Sequence, residues 1–192
     1  MALTETLRPR GDARRQSRSL PIAAGLLLIA FGGFLIVAQQ SLIPIEAFLT
    51  SKLLALFTYG KTFAAEAIMW IGLGSGEVHG LMITPLCSTI VLLAPIVLIA
   101  GGLMLFPRFE LRNVVRGLLI AVPLAIVGNM IRYVLVAFAL QVWGQQGFDI
   151  MHHYVGSVFV LVCTASAIVL MLIISARGRL TRRSRATGRH GQ

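Results

Sequence analysis

The stretch Val114–Leu140, VVRGLLIAVPLAIVGNMIRYVLVAFAL, decides the architecture. It is apolar and long enough to cross a bilayer as a helix, which takes about 20 residues. Yet it carries Asn129 and Arg132, three positions apart and so on one helical face. A charged side chain within a span costs a few kcal/mol unless it faces protein or water, so function is the default reading of Arg132. At the rise of a helix Arg132 lies about 27 Å from Val114, near the far edge of the hydrocarbon. A snorkelling interfacial anchor would also sit there. The aligned Asn129 favours an inward-facing polar site.

Three further stretches read as spans: Leu20–Ala38, Ser88–Phe106 (ended by Pro107) and His153–Ser175. The expected fold is therefore all-α, a polytopic membrane helix bundle of about four transmembrane helices. The 192 residues are 57% hydrophobic, which excludes an ordinary soluble domain. They leave no room for a separate soluble module. The expected organisation is a basic tail over residues 1–19, a single transmembrane domain over 20–176 and a second basic tail over 177–192. Both tails are rich in Arg, Ser and Gly and are expected to be disordered. The first span could pass for a signal-peptide core, but its length and the want of a small-x-small cleavage site make it a retained helix.

The net charge of +10 is clustered at Arg8–Arg18, Arg108–Arg116 and Arg177–Arg189. The positive-inside rule puts all three clusters in the cytoplasm, and four spans with both termini inside satisfy it. This accounts for the basic balance without a nucleic-acid partner. The bilayer implied is the plasma or inner membrane. The outer segments, Gln39–Cys87 and Gln141–His152, carry only Lys52 and Lys61 as loop cations.

The long outer segment is not a polar loop. Glu46–Phe57 and Thr62–Ile71 are apolar with scattered charge and read as amphipathic helices on the outer interface, parted at Tyr59-Gly60. A re-entrant pair buried against the bundle is the alternative. Gly72-Leu-Gly-Ser-Gly76 reads as a flexible turn. Glu77–Thr84 reads as a short extended stretch leading into Pro85-Leu86-Cys87.

This threading brings Cys87, Arg132 and His152 to one membrane face. Cys87 opens a span, where a helix N-terminus favours a thiolate. A neighbouring His can serve as general base and then general acid. A guanidinium can stabilise the thiolate or a tetrahedral oxyanion. Cys163, mid-span, reads as a small buried apolar residue.

Pro85-Leu-Cys87-Ser88, Asn129-Met-Ile-Arg132 and His152-His-Tyr-Val-Gly156 follow one another at successive outer span ends. This ordered trio resembles the exosortase/archaeosortase family, membrane-embedded cysteine transpeptidases. The family pattern is a Cys followed by a small residue, an Asn-x-x-Arg, and a His with a Gly four positions on. The resemblance covers about Leu53–Ser175. It implies Cys87 as nucleophile with Arg132 and His152 as its partners, and Ser88, Asn129 and His153 in support. His152 is preferred over His153 because Gly156 stands four residues after it. The chain departs from the family in having Thr89 where a Gly is frequent, and in its few N-terminal spans. The substrates implied are membrane-anchored proteins with a C-terminal motif, a transmembrane helix and a basic tail. The thiolate cleaves near the motif and an acceptor amine resolves the acyl-enzyme. No cofactor is implied. The outer segments would roof the site against water.

Other readings explain less. A non-enzymatic assembly factor or small carrier would pair Arg132 with Glu66 or Glu77 and leave Cys87 dispensable. No Gly-x-Ser-x-Gly supports a rhomboid-like serine protease. His79, His152, His153 and Cys87 lack the paired spacing of a zinc site. No phosphate-cradling Gly motif is present.

Overall fold

The structure, a computed structural model, describes residues 10–58, 61–74 and 78–187. Helix α1 (Arg10–Leu54) is followed by strands β1 (Lys61–Ala65), β2 (Ile68–Leu73) and β3 (His79–Met82). A 3-10 turn (Pro85–Cys87) leads into α2 (Thr89–Leu105). Helix α3 (Leu111–Ile150) passes through a π-helical turn (Met151–Val155) into α4 (Gly156–Thr187).

Two helical stretches, Ser19–Leu54 and Leu111–Arg177, are long and apolar enough to cross a membrane, and Thr89–Leu105 is a shorter apolar helix. The second stretch is folded on itself. Gly144 breaks α3 with φ 63° and ψ −153°, a conformation that only glycine adopts without strain. The chain reverses there and packs antiparallel. A Cβ on Gly117 would strike the Met171 carbonyl oxygen at 2.9 Å, and one on Gly128 the Cys163 Cβ at 2.9 Å. On the other side of the bundle, α1 and α2 touch through Gly25 and Gly101, where either Cβ would meet the other's carbonyl oxygen at 2.8 Å. Small residues that let backbones approach are how helices associate in lipid, which offers no hydrophobic drive. Leu27, Phe34 and Val37 of α1 and Val158, Leu161 and Val162 of α4 point outward unshielded. A soluble protein rarely shows so much apolar surface; lipid is its natural solvent.

The core has two centres. At one end Met104, Val114, Ala121 and Met171 pack with Leu28 and Phe109. At the other, Ile43, Ala47 and Leu54 of α1 meet Met69 and Ile71 of β2, Leu81 of β3, and Tyr133, Val136 and Leu140 of α3.

The outer segment corrects two expectations. Glu46–Leu54 is helical, but as a continuation of α1 rather than as a separate interfacial helix. Pro44 forfeits one backbone hydrogen bond without ending the helix. Thr62–Ile71 is not helical: it forms the β1–β2 hairpin of an antiparallel sheet ordered β1-β2-β3. Its inward residues, Met69 and Ile71, alternate with the outward Trp70, so one face packs on the bundle. The extended stretch expected within Glu77–Thr84 is β3. The tails expected to be disordered are helical where described, since α1 starts at Arg10 and α4 runs to Thr187.

Candidate active site

Cys87 lies at the end of the 3-10 turn, its N–H bonded to the Thr84 carbonyl at 2.9 Å. Pro85 starts that turn with φ already set for it. Ser88 then caps α2, its hydroxyl accepting from Ile90 N–H at 3.2 Å. The thiol is thus held just before a helix, buried, at the end of the bundle that carries the sheet.

Three side chains converge on the sulfur. Arg132 Nη2 donates to Sγ at 3.3 Å. His152 Nε2 stands 3.7 Å from Sγ. Thr84 Oγ1 donates to Sγ at 3.1 Å. Arg132 is only 4% exposed, so its charge acts in a poorly solvated place, where electrostatics are strong. Its guanidinium rests on the sulfur and not on Glu66, which sits in the β1–β2 turn. Glu77 lies outside the described residues.

The His152 ring is stacked on Phe148, with centroids 4.9 Å apart and planes 10° from parallel. This stacking fixes the ring plane. His153 is exposed and turned away, its Nδ1 against the Asp149 carbonyl at 3.2 Å. Of the two histidines, His152 is the one brought to the thiol. Gly156 explains the Gly of the sequence pattern. A Cβ there would lie 3.1 Å from Arg132 Cγ and 3.3 Å from its Nε, so the bare backbone leaves room for the arginine.

Behind the thiol lies a polar network in which Ser88 and Asn129 were legible in the sequence and Glu46 and Tyr133 were not. Glu46, 9% exposed and late in α1, accepts from Ser88 Oγ at 2.5 Å, Thr89 N at 2.7 Å, Thr89 Oγ1 at 2.6 Å and Tyr133 OH at 3.2 Å. Tyr133 OH also reaches the Cys87 carbonyl at 2.7 Å. Asn129, fully buried, donates to that carbonyl at 3.1 Å and to Thr89 Oγ1 at 2.8 Å. Glu46 thereby occupies the N-terminus of α2, where a carboxylate is favoured. It takes the Thr89 N–H at that helix start. The charge facing the sulfur comes from Arg132 instead. The signal available in the sequence was an acidic residue in an apolar stretch.

The pocket over the thiol is lined by Leu81, Met82 and Ile83 from the sheet side and by Phe148 and His152 opposite. Arg132 and Tyr133 also line it. Among the described residues no cluster of metal-ligating side chains occurs.

A thiol gripped by a guanidinium and faced by an imidazole, at one end of an apolar helix bundle, defines a membrane-embedded cysteine hydrolase or transpeptidase. The chain matches the family model described as transmembrane exosortase (Exosortase_EpsH) over residues 7–170, and it belongs to that family. No curated protein and no solved structure matches it. It is an exosortase-family membrane protein whose Cys87 stands by His152, as a cysteine-dependent sorting-signal transpeptidase requires.

Proposed function

We propose that Cys87 is the nucleophile that cleaves C-terminal sorting signals of exported, membrane-anchored proteins, and that Arg132 and His152 are its catalytic partners. The observation that carries this is the convergence of Arg132 Nη2 and His152 Nε2 on one buried Sγ. His152 takes the Cys87 thiol proton, the sulfur attacks the scissile carbonyl, and the carbonyl oxygen takes the negative charge. Arg132 stabilises that oxyanion. As the tetrahedral species collapses, the C–N bond breaks and His152-H⁺ protonates the departing amine. The thioester then accepts an amine from a second molecule. His152 takes the amine's proton and passes it to the sulfur as the C–S bond breaks, so an amide forms and the Cys87 thiol is released. Glu46, Asn129 and Tyr133 are positioning residues that lock the Cys87 carbonyl and the start of α2. The sheet covers the thioester and limits access of water, so transfer outruns hydrolysis.

The topology proposed has four spans. These are the first part of α1, α2, α3 as far as Gly144, and α4 after the π-helical turn. Both termini are cytoplasmic, and the thiol faces the opposite side with its sheet. The substrates proposed carry a motif, a transmembrane helix and a basic tail, so that the bilayer itself aligns the motif with the thiol.

The test is processing of a sorting-signal substrate at matched enzyme levels. Cys87→Ala and Cys87→Ser should both abolish it, and Cys163→Ala should be nearly silent. Trapped acyl-enzyme at Cys87, read by mass spectrometry, would show the intermediate directly. Full processing by Cys87→Ala overturns the reading.

A further inference from the structure

Strand β3 ends five residues before the thiol and forms an edge of the sheet. Its register fixes which way its backbone groups point. The hairpin pairs Ala65 with Ile68, so Ile68 and, two residues on, Trp70 turn their backbone groups toward β1. Met69 and Ile71 turn theirs toward β3, where they face Leu81 and His79. The bond from Ile83 N–H to the Ala67 carbonyl, at 2.8 Å, continues that alternation. Gly80 and Met82 stand opposite Trp70 and Ile68. Their N–H and C=O groups therefore point away from β2, and among the described residues they have no backbone partner. Met82 is 66% exposed, and it lines the same pocket as Cys87, Arg132 and His152.

We propose that the substrate's motif segment binds as an added β-strand on the free edge of β3, through Gly80 and Met82, which delivers its scissile carbonyl to Cys87. This inference rests on the transpeptidase reading. An exposed strand edge is an open template, and pairing an extended peptide along it is a common recognition mode. Main-chain bonds supply affinity whatever the side chains, and the pocket reads the residues near the cleavage point. The edge runs into the pocket, so the docked peptide and the thiol share one continuous surface. Extended backbone is also the form in which a scissile amide is open to attack from one side.

The experiment uses purified full-length protein in detergent micelles and a sequence-neutral probe, acetyl-hexaalanyl chloromethyl ketone. Sγ displaces chloride from the chloromethyl carbon and forms a thioether at Cys87. The quantity read is the labelling rate relative to chloroacetamide, which has no strand to dock. The peptide should be favoured. N-methylating its amides one at a time should cut the ratio at alternate positions only, because only every second amide of an added strand faces β3. In the protein, Met82→Pro deletes an outward N–H at an edge position that tolerates proline. It should lower the ratio about two- to tenfold, as loss of one hydrogen bond predicts. A scan without alternation, or a Met82→Pro ratio equal to wild type, overturns the proposal. If Met82→Pro does not fold, the N-methyl scan on the wild-type protein decides alone. Processing that survives Cys87→Ala sinks the transpeptidase reading and the docking with it. Processing lost in Cys87→Ala beside a flat scan sinks the docking alone.

Discussion

At the scale of single residues, Arg132 separates charge from geometry. Its guanidinium is planar and can hold two partners at once; a lysine keeps only the point charge. Arg132→Lys should therefore lose processing on the order of ten- to thousandfold, as deletion of one oxyanion donor does. Arg132→Ala should lose at least as much. Wild-type processing by both variants would reduce Arg132 to a helix anchor. Glu46 makes a different demand. Its carboxylate receives two hydroxyls and a backbone N–H from Ser88 and Thr89, and the phenol of Tyr133. Glu46→Ala strips the Ser88 and Thr89 donors of this acceptor, at about 1–3 kcal/mol for each group left unsatisfied, while Tyr133 keeps the Cys87 carbonyl. The variant should melt well below wild type in detergent. Glu46→Gln keeps the size but sets an NH₂ against donors. It should fold and process slowly, with the deficit in kcat rather than KM, because Glu46 holds the nucleophile and does not touch the substrate. A deficit confined to KM would count against a positioning role. Sequence alone exposed Arg132, since a charge within a span stands out. It hid Glu46, whose partners lie 42 to 87 positions away.

Elements set the accuracy of the site. Helix α4 crosses Arg132 at Gly156, where an added Cβ would also meet the Met151 carbonyl oxygen at 2.7 Å. Gly156→Ala should push the guanidinium off the sulfur and lower processing about a hundredfold, since misplacement by about 1 Å has that effect. Unchanged processing at matched protein level would show that Gly156 serves packing alone. The sheet is the element that the sequence concealed. Ala64-Ala65-Glu66-Ala67 is a run of good helix formers, and the hairpin turn at Glu66-Ala67 lacks the glycine that usually betrays one. Glu66 takes φ 53° there, a conformation most side chains resist. The strands form because Met69, Ile71 and Leu81 bury themselves against α1 and α3, so tertiary packing overrides local preference. The spans were legible for the opposite reason: in lipid a helix must satisfy its own backbone, and an uninterrupted apolar run declares it. The reversal at Gly144 falls inside Gln141–His152, the segment read as lying between two spans, where Gln145, Gln146 and Asp149 interrupt the apolar run; that the segment is itself helical had no comparable signal.

At the scale of the whole molecule, the two packing centres divide the labour. The centre built on Met104, Val114 and Met171 lies at the end that carries Arg108 of the α2–α3 connection, Arg112 of α3 and Arg177 of α4. The centre built on Leu54, Ile71 and Tyr133 lies beside Cys87. The arginine clusters and the Cys87 pocket therefore occupy opposite ends of one bundle. That polarity is what a membrane would read: arginine-rich ends stay in the cytoplasm, and the other end is exported. A substrate with a basic tail after its own helix would be held in the same orientation by the same rule, with its motif at the far surface beside β3. The arrangement predicts sidedness without reference to activity. In a background lacking both native cysteines, Lys61→Cys should react with a membrane-impermeant maleimide in intact cells. Ser184→Cys should react only after the membrane is opened. The opposite pattern would place the thiol in the cytoplasm, where exported substrates do not pass, and the sorting function would fall with it.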